Sequence, residues 1–291
     1  MIVQENVHLA TKNTMKIGGF ADRFYIPESE EELVRIAQEN YDKNGKVYIL
    51  SGGSNLLIND RRFEQVIYMS AACTEMTNLG DGKFYIGASN RIPKVISFVN
   101  QFGYGGFEGL VGLPAMFGGI LYMNAGLGGE KNPAFTIGDF VLSVRLWNLA
   151  EKKFEEFDAQ ECGFKHRYSV FHNQQYVILG AVIQCKKVDI NDAKKVKEAR
   201  LQFCKNNFEY GKGCFGTCFS KVNYKLLKVV SMLYSVLKFG NGRVTFAKNN
   251  VNWLVNHGNG SYEDAIRIIN LCKQLHRLCR KDIMCEVVIW E

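Results

Sequence analysis

No run of apolar residues in this 291-residue chain approaches membrane-spanning length, which excludes a transmembrane helix from the expectations. The opening residues, MIVQENVHLATKNTMKIGG, lack the basic segment, apolar core and cleavage site of a secretory signal, so a cytoplasmic protein is expected. The nine cysteines form no C-x-x-C pair. Cys214 and Cys218 are four apart, and Cys272, Cys279 and Cys285 are seven and six apart, spacings that fit no usual zinc framework. No metal is expected, and most of these thiols read as reduced, buried small hydrophobes. No G-x-G-x-x-G fingerprint follows a strand, and no glycine loop ends in G-K-[ST]. The common dinucleotide and triphosphate loops are thereby excluded. A basic nucleic-acid stripe is missing too. The formal charge is +7, but the densest basic run, KKVDINDAKKVKEAR at 186–200, also carries acids and reads as a solvated helix face. A dispersed positive bias suits an anionic small substrate.

Glycine, in contrast, is abundant and unevenly placed. Ten of the 28 glycines fall in residues 103–129, GYGGFEGLVGLPAMFGGILYMNAGLGG. Glycine loses more backbone entropy on folding than any other residue, so this density needs a reason. The same stretch carries Phe107, Leu110, Val111, Leu113, Met116, Phe117, Ile120, Leu121, Tyr122 and Met123. The mixture indicates buried backbone in tight turns, with bare surface for a ligand to approach. A phosphate-bearing cofactor is the first candidate, because backbone amides at turns and helix starts bind anions. A second glycine loop, SGGSN at 51–55, follows the apolar run VYIL. Taken alone it fits a tight turn between strands equally well.

The chain reads as alternating strands and helices of α+β type. Strands are expected at 21–26, 63–69, 83–88, 141–147 and 175–184, and a last one in MCEVVIW at 284–290. Ser29 is placed to cap a helix over EEELVRIAQEN, whose three leading acids suit the helix dipole. Further helices are expected at 93–102, 191–206, 224–237 and 261–280, the last capped by Ser261. His276 on that helix reads as a packed histidine, not a ligand. A domain boundary is expected near 185–195. Three polar residues stand out as chemical candidates. Arg167, in GFKHRYSVF, is flanked by Phe164 and Phe171, and a partly buried arginine wants a carboxylate or phosphate partner. Thr217 follows Gly216 in what reads as a tight loop. Glu286 is a charge in the middle of an apolar strand, either facing solvent or held in a site.

Seven blocks, in order over nearly the full chain, resemble the UDP-N-acetylenolpyruvoylglucosamine reductase (UDP-N-acetylmuramate dehydrogenase) family of flavoenzymes. NTMKIGGFADRFYIPESEEEL is similar to its N-terminal segment. ILSGGSNLLINDRRFEQVI and GFEGLVGLPAMFGGILYMNAGLGGE are similar to its two flavin loops. CGFKHRYSVF resembles its arginine motif and CFGTCFSK its catalytic hydroxyl motif. NNVNWLVNHGNGSYEDAIRIIN and IMCEVVIW resemble its C-terminal blocks. The short spacing from Phe171 to Tyr176 matches the compact second type of the family.

The resemblance implies a three-domain flavoenzyme with a vanillyl-alcohol-oxidase/PCMH-type FAD-binding fold. Residues 1–72 and 73–190 would hold FAD, and residues 191–291 would form an α/β substrate domain carrying the C-terminal catalytic strand. It implies FAD contacts from Ser51, Gly52, Gly53, Ser54, Asn55 and Leu56 in one loop, and from Gly112, Pro114, Gly118, Gly119, Asn124, Ala125 and Gly126 in the other. It implies NADPH as co-substrate, a UDP-sugar enolpyruvyl ether as substrate in peptidoglycan precursor synthesis, and catalytic roles for Arg167, Thr217 and Glu286. A monomer is the expected state. The chain departs from the family pattern at several of these places. Thr217 stands where a serine is usual, Ala115 replaces a glycine, and His166 and Tyr168 flank the arginine in place of tyrosine and Asp or Asn. No proline follows Phe219, Ser220 and Lys221, and Val288 lies two residues after Glu286. Two alternatives stay open: another FAD oxidoreductase of the same fold, and a catalytically silent flavin- or nucleotide-binding relative. Turnover of the enolpyruvyl substrate with NADPH separates them.

Overall fold

Ser29 does what its position foretells. Its hydroxyl accepts from the Glu32 backbone N–H at 3.3 Å, and the helix Glu30–Asn44 runs from there to Gly45, whose φ of 68° closes it. In the computed structural model, residues 1–129, 132–173, 175–209, 211–236 and 241–291 are described. They divide into two compact units that alternate along the chain. One comprises Met1–Glu5, Arg23–Gly52 and Glu64–Cys204, the other Asn6–Asp22, Gly53–Phe63 and Lys205–Glu291.

The first unit is organised by a five-stranded antiparallel sheet. Its order is Lys153–Asp158, Val141–Asn148, Tyr176–Gln184, Lys83–Gly87, Met76–Gly80. The strand Tyr176–Gln184 lies at the centre and is buried on both faces, which explains its unbroken apolar run YVILGAVI. The helix Ile92–Asn100 buries Ile92, Val95, Ile96 and Val99, the side its spacing defines. Glu30 of the first helix grips Arg145 of the sheet through a two-pronged ion pair of 2.5 and 2.6 Å. The glycine-rich stretch does not form one loop. It contains the short helix Phe117–Tyr122 and the strand Gly126–Gly129.

In the second unit, the strand Trp253–Asn256 lies between Gly213–Thr217 and Val244–Phe246. Leu227 and Val230 of the helix Tyr224–Val236 share a core with Ile268, Ile269 and Cys272 of the helix Tyr262–Leu278. Leu237, the expected end of the first of these helices, lies outside the described residues. His276 is packed as expected. It is fully buried, its Nδ1 lies 2.8 Å from the Cys272 carbonyl, and its Nε2 accepts from the Asn223 N–H at 3.1 Å.

Two expectations need correction. Thr217 is not in a loop but ends the strand Gly213–Thr217, whose pairing with Trp253–Asn256 shifts register between Cys214 and Thr217. Residues 284–290 are not one strand. Met284–Cys285 pairs antiparallel with Phe219–Lys221, whereas Val288–Trp290 pairs parallel with Leu56–Ile58. The apolar run changes partner at Glu286 and Val287, so the charge marks a break between two pairings.

The capping box of the last long helix yields a direct test. Ser261 accepts from the Asp264 N–H at 3.2 Å, and the Asp264 carboxylate accepts from the Ser261 N–H at 3.1 Å. Ser261→Ala should lower unfolding stability by about 1 kcal/mol, read as a lower urea midpoint at unchanged slope.

Candidate functional site

The turn after the strand Ile49–Leu50 runs tightly against the middle of the glycine-rich stretch. A β-carbon on Gly52 would lie 2.6 Å from the Pro114 carbonyl oxygen and 2.8 Å from Ala115 Cα, so only glycine fits there. A β-carbon on Gly119 would come within 3.2 Å of the Ser51 hydroxyl oxygen. The 88–90 turn packs alongside. Ala88 accepts from the Gly118 N–H at 2.8 Å and Asn90 from the Phe117 N–H at 2.9 Å. Ser51, Pro114, Gly118 and Gly119 are thus brought together in the first unit. Gly112 is not part of this cluster and faces the Cys204 thiol instead.

Three polar atoms in this cluster are buried without a hydrogen-bond partner among the described residues: Ser51 Oγ, Ser89 Oγ and Asn90 Oδ1. A buried polar atom left alone costs free energy, so such a set fits a ligand that supplies the missing partners. Two hydroxyls can donate to phosphate oxygens, and the amide oxygen can accept from a hydroxyl or ring N–H. With the bare glycine surface, these residues suit a phosphate-bearing cofactor such as FAD. Ser89 and Asn90 were invisible in the sequence, where GASN reads only as the end of a strand.

Asn124 and Arg167 form a second cluster in the same unit. Asn124 is buried and adopts φ 41°. Its amide donates to the Lys165 carbonyl at 2.9 Å and accepts from the Gly138 N–H at 2.9 Å. Ala125 accepts from the Ile137 N–H at 2.8 Å, and Gly126 begins the strand beside Asn132–Thr136. Lys165 and Tyr168 exchange hydrogen bonds of 3.0 and 3.1 Å, which makes His166 and Arg167 the tip of a two-residue turn. Arg167 holds φ 56° there, a left-handed conformation uncommon for a side chain of its size. Its guanidinium donates to the Gly126 carbonyl at 3.1 Å. Nearby aromatic groups are neutral. Burial pushes the Tyr122 phenol up to about 12 and holds the His172 imidazole below its ordinary value, and the two rings lie 4.2 Å apart.

In the second unit, the break in the C-terminal strand collects the remaining candidates. The Glu286 N–H donates to the Cys218 carbonyl at 3.0 Å, and the Glu286 carbonyl accepts from the Asn55 side chain at 2.7 Å. The Val288 N–H donates to the Asn55 carbonyl at 3.1 Å, and Leu56 pairs with Val288. Thr217 immediately precedes Cys218, so Asn55, Thr217 and Glu286 converge on one backbone junction. Asn252, which the sequence did not single out, clamps it from below. Its side chain accepts from the Phe219 N–H at 2.9 Å and donates to the Phe219 carbonyl at 2.8 Å. Cys218 is buried, and burial with its neighbour Cys285 pushes its thiol up, so it stays protonated. Gly53 holds φ 61° against the backbone of Lys12 and Asn13, and Ser54 is half-buried beside it.

A family profile described as FAD binding domain matches residues 21–154. The chain is 29% identical over 278 residues to the UDP-N-acetylenolpyruvoylglucosamine reductase of Carboxydothermus hydrogenoformans, covering 94% of this chain and 88% of that one. To the protein of the same name from Chlamydia felis it is 32% identical over 187 residues, covering 64% and 60%. The crystal structure of UDP-N-acetylenolpyruvylglucosamine reductase from Thermus caldophilus shares the fold, with a TM-score of 0.76 over 100% of both chains at 21% identity. The class is therefore a flavoprotein oxidoreductase, a PCMH-type FAD-binding fold joined to further α/β structure. Within it, the chain is similar over nearly its whole length to UDP-N-acetylenolpyruvoylglucosamine reductases. Among the described residues no helix is long and apolar enough to cross a membrane.

The strained turn can be probed by a matched pair of variants. Arg167→Ala removes the contact to Gly126 and keeps the left-handed φ, whereas Arg167→Gly removes the contact and relieves the backbone. Arg167→Gly should therefore unfold at higher urea than Arg167→Ala, by up to about 1 kcal/mol.

Proposed function

We propose that this chain reduces UDP-N-acetylglucosamine enolpyruvate to UDP-N-acetylmuramate, with NADPH as the source of electrons. The observation that carries this reading is the junction at Glu286, which holds a carboxyl group, a half-buried hydroxyl and the Asn55 loop at one backbone crossing. Residues 1–72 and 73–190 are assigned to cofactor binding and residues 191–291 to substrate. When bound, FAD supplies the two-electron relay between NADPH and the enolpyruvyl double bond.

The protein's own part is positioning and proton delivery. Ser51, Gly52, Pro114, Gly118 and Gly119, with Ser89 and Asn90, are assigned to the cofactor's polar atoms. Gly53, Ser54, Asn55, Leu56, Gly112, Asn124, Ala125 and Gly126 complete the two loops, Asn55 and Asn124 by holding backbone in place. Charge builds on the substrate carboxylate during reduction. Arg167 is assigned to that carboxylate, since a guanidinium offers five donors in a planar fork. Glu286 is assigned a role in its protonated form, because a free carboxylate would oppose negative charge developing on a substrate. Thr217 gives the proton to the ether-bearing carbon, a role any well-placed hydroxyl can fill.

Purified protein should be yellow or take up added FAD. A colourless protein that refuses FAD would overturn the cofactor assignment. Thr217→Ala should slow reoxidation of the reduced flavin by the enolpyruvyl substrate by about a hundredfold or more, while reduction by NADPH stays near its original rate. Equal slowing of both half-reactions, followed separately by rapid mixing, contradicts the assignment of Thr217. Glu286→Gln should retain more activity than Glu286→Ala, because the amide keeps a donor and the methyl does not.

A further inference from the structure

The hydroxyl of Thr217 has a neighbour that no motif reveals. Thr217 and Trp253 face each other across the antiparallel pairing of Gly213–Thr217 with Trp253–Asn256. The register shift before Thr217, with Gly216 at φ 79°, re-aims the threonine side chain. It brings Thr217 Oγ1 to 3.3 Å from the Trp253 indole Nε1. We propose that Trp253 is a positioning residue that fixes the Thr217 hydroxyl as a proton donor.

The direction of this hydrogen bond is not in question, since an indole N–H only donates. Thr217 Oγ1 is therefore the acceptor, and its own proton must point elsewhere. Among the described residues no protein group accepts that proton. The hydroxyl thus has one lone pair held from the sheet side and one proton left to give. The holder is rigid. Trp253 is only 7% exposed, stacks on Phe208 at 4.4 Å between ring centres, and packs with Ala247 and Val255. Its backbone is tied to the Asn250 carbonyl at 3.0 Å and to the Ala247 N–H at 2.9 Å. The indole cannot follow a wandering threonine rotamer, so the rotamer follows the indole.

The same contact changes strength during the reaction. As Thr217 protonates the substrate carbon, its O–H bond breaks, a C–H bond forms with the carbon's electron pair, and an alkoxide remains until water returns the proton. A hydrogen bond to a charged oxygen is roughly twice as strong as one to a neutral oxygen. The indole N–H therefore favours the transition state over the ground state, a differential effect of about tenfold in rate.

This proposal rests on Thr217 being the proton donor, and the test keeps the two claims apart. Trp253→Phe leaves an aromatic ring to face Phe208 and removes the indole N–H. It should slow flavin reoxidation by the enolpyruvyl substrate about tenfold, leave NADPH-dependent reduction within about twofold, and raise the solvent deuterium isotope effect on reoxidation. Slowing of both half-reactions alike would mean a structural role and would overturn the proposal. If Thr217→Ala slows reoxidation and Trp253→Phe does not, the positioning role fails alone. If Thr217→Ala does not slow reoxidation either, both claims fail. A measurement independent of turnover covers the case of an unstable Trp253→Phe. In nitrogen-15 spectra of tryptophan-labelled protein, the Trp253 indole N–H signal should move upfield in Thr217→Val. An unmoved signal would overturn the contact itself.

Discussion

The change of partner in the C-terminal strand at Glu286 is the constraint on which the residues around Thr217 and Asn55 depend. A strand can turn from one neighbour to another only if the peptide groups at the crossing find partners, since an orphaned buried amide costs about as much as a lost hydrogen bond. Here the Cys218 carbonyl accepts from the Glu286 N–H, and the Asn55 side-chain amide donates to the Glu286 carbonyl. The backbone around the acid is thereby fully engaged at fixed positions. The side chain of Glu286 and the hydroxyl one residue before Cys218 extend from this held backbone. Asn252 extends the same logic to the strand Phe219–Lys221, which would otherwise leave its first peptide group unmatched.

The glycine cluster of the first unit is built by a different device. There the backbone is brought so close to itself that side chains are excluded, as at Gly52 against Pro114 and Ala115. In the second cluster of the same unit, left-handed backbone at Asn124 and Arg167 persists because hydrogen bonds over-determine it. Buried hydroxyls at Ser51 and Ser89 add a further unfavourable term. The five-stranded sheet, with its centre strand buried on both faces, offsets these local penalties.

Much of the scaffold was legible in the residues. Ser29 and Ser261 start helices because their hydroxyls meet the backbone three residues on, a purely local fact. The buried strands at 83–87, 141–148 and 176–184 announce themselves by apolar runs. Ile2–His8 gave no such signal, since nearly all its residues face solvent, and neither did Lys153–Asp158, an edge strand rich in charge. The break at Glu286 was unreadable for another reason. MCEVVIW is a plausible single strand, and only the register of Phe219 with Cys285 and Leu56 with Val288 divides it. Ser89, Asn90 and Trp253 were missed because their importance lies in what surrounds them across the fold: two side-chain oxygens without partners, and an indole N–H opposite a threonine.

The parallel pairing of Val288–Trp290 with Leu56–Ile58 also fixes where the chain is free to change in length. The registered pairs are Val288 with Leu56, Ile289 with Leu57 and Trp290 with Ile58, and the Trp290 carbonyl is held by the Asn59 N–H. Glu286 is thus measured off from this strand, as from the zero mark of a ruler. Losing one residue between 286 and 288 would turn each following side chain to the opposite face or pull the acid out of its junction. The stretch between Phe219–Lys221 and Met284–Cys285 carries registers of its own, since Trp253 pairs opposite Thr217 and Asn252 holds Phe219. The last few residues are therefore bound to an exact number, and insertions are confined to turns that lie outside these registers.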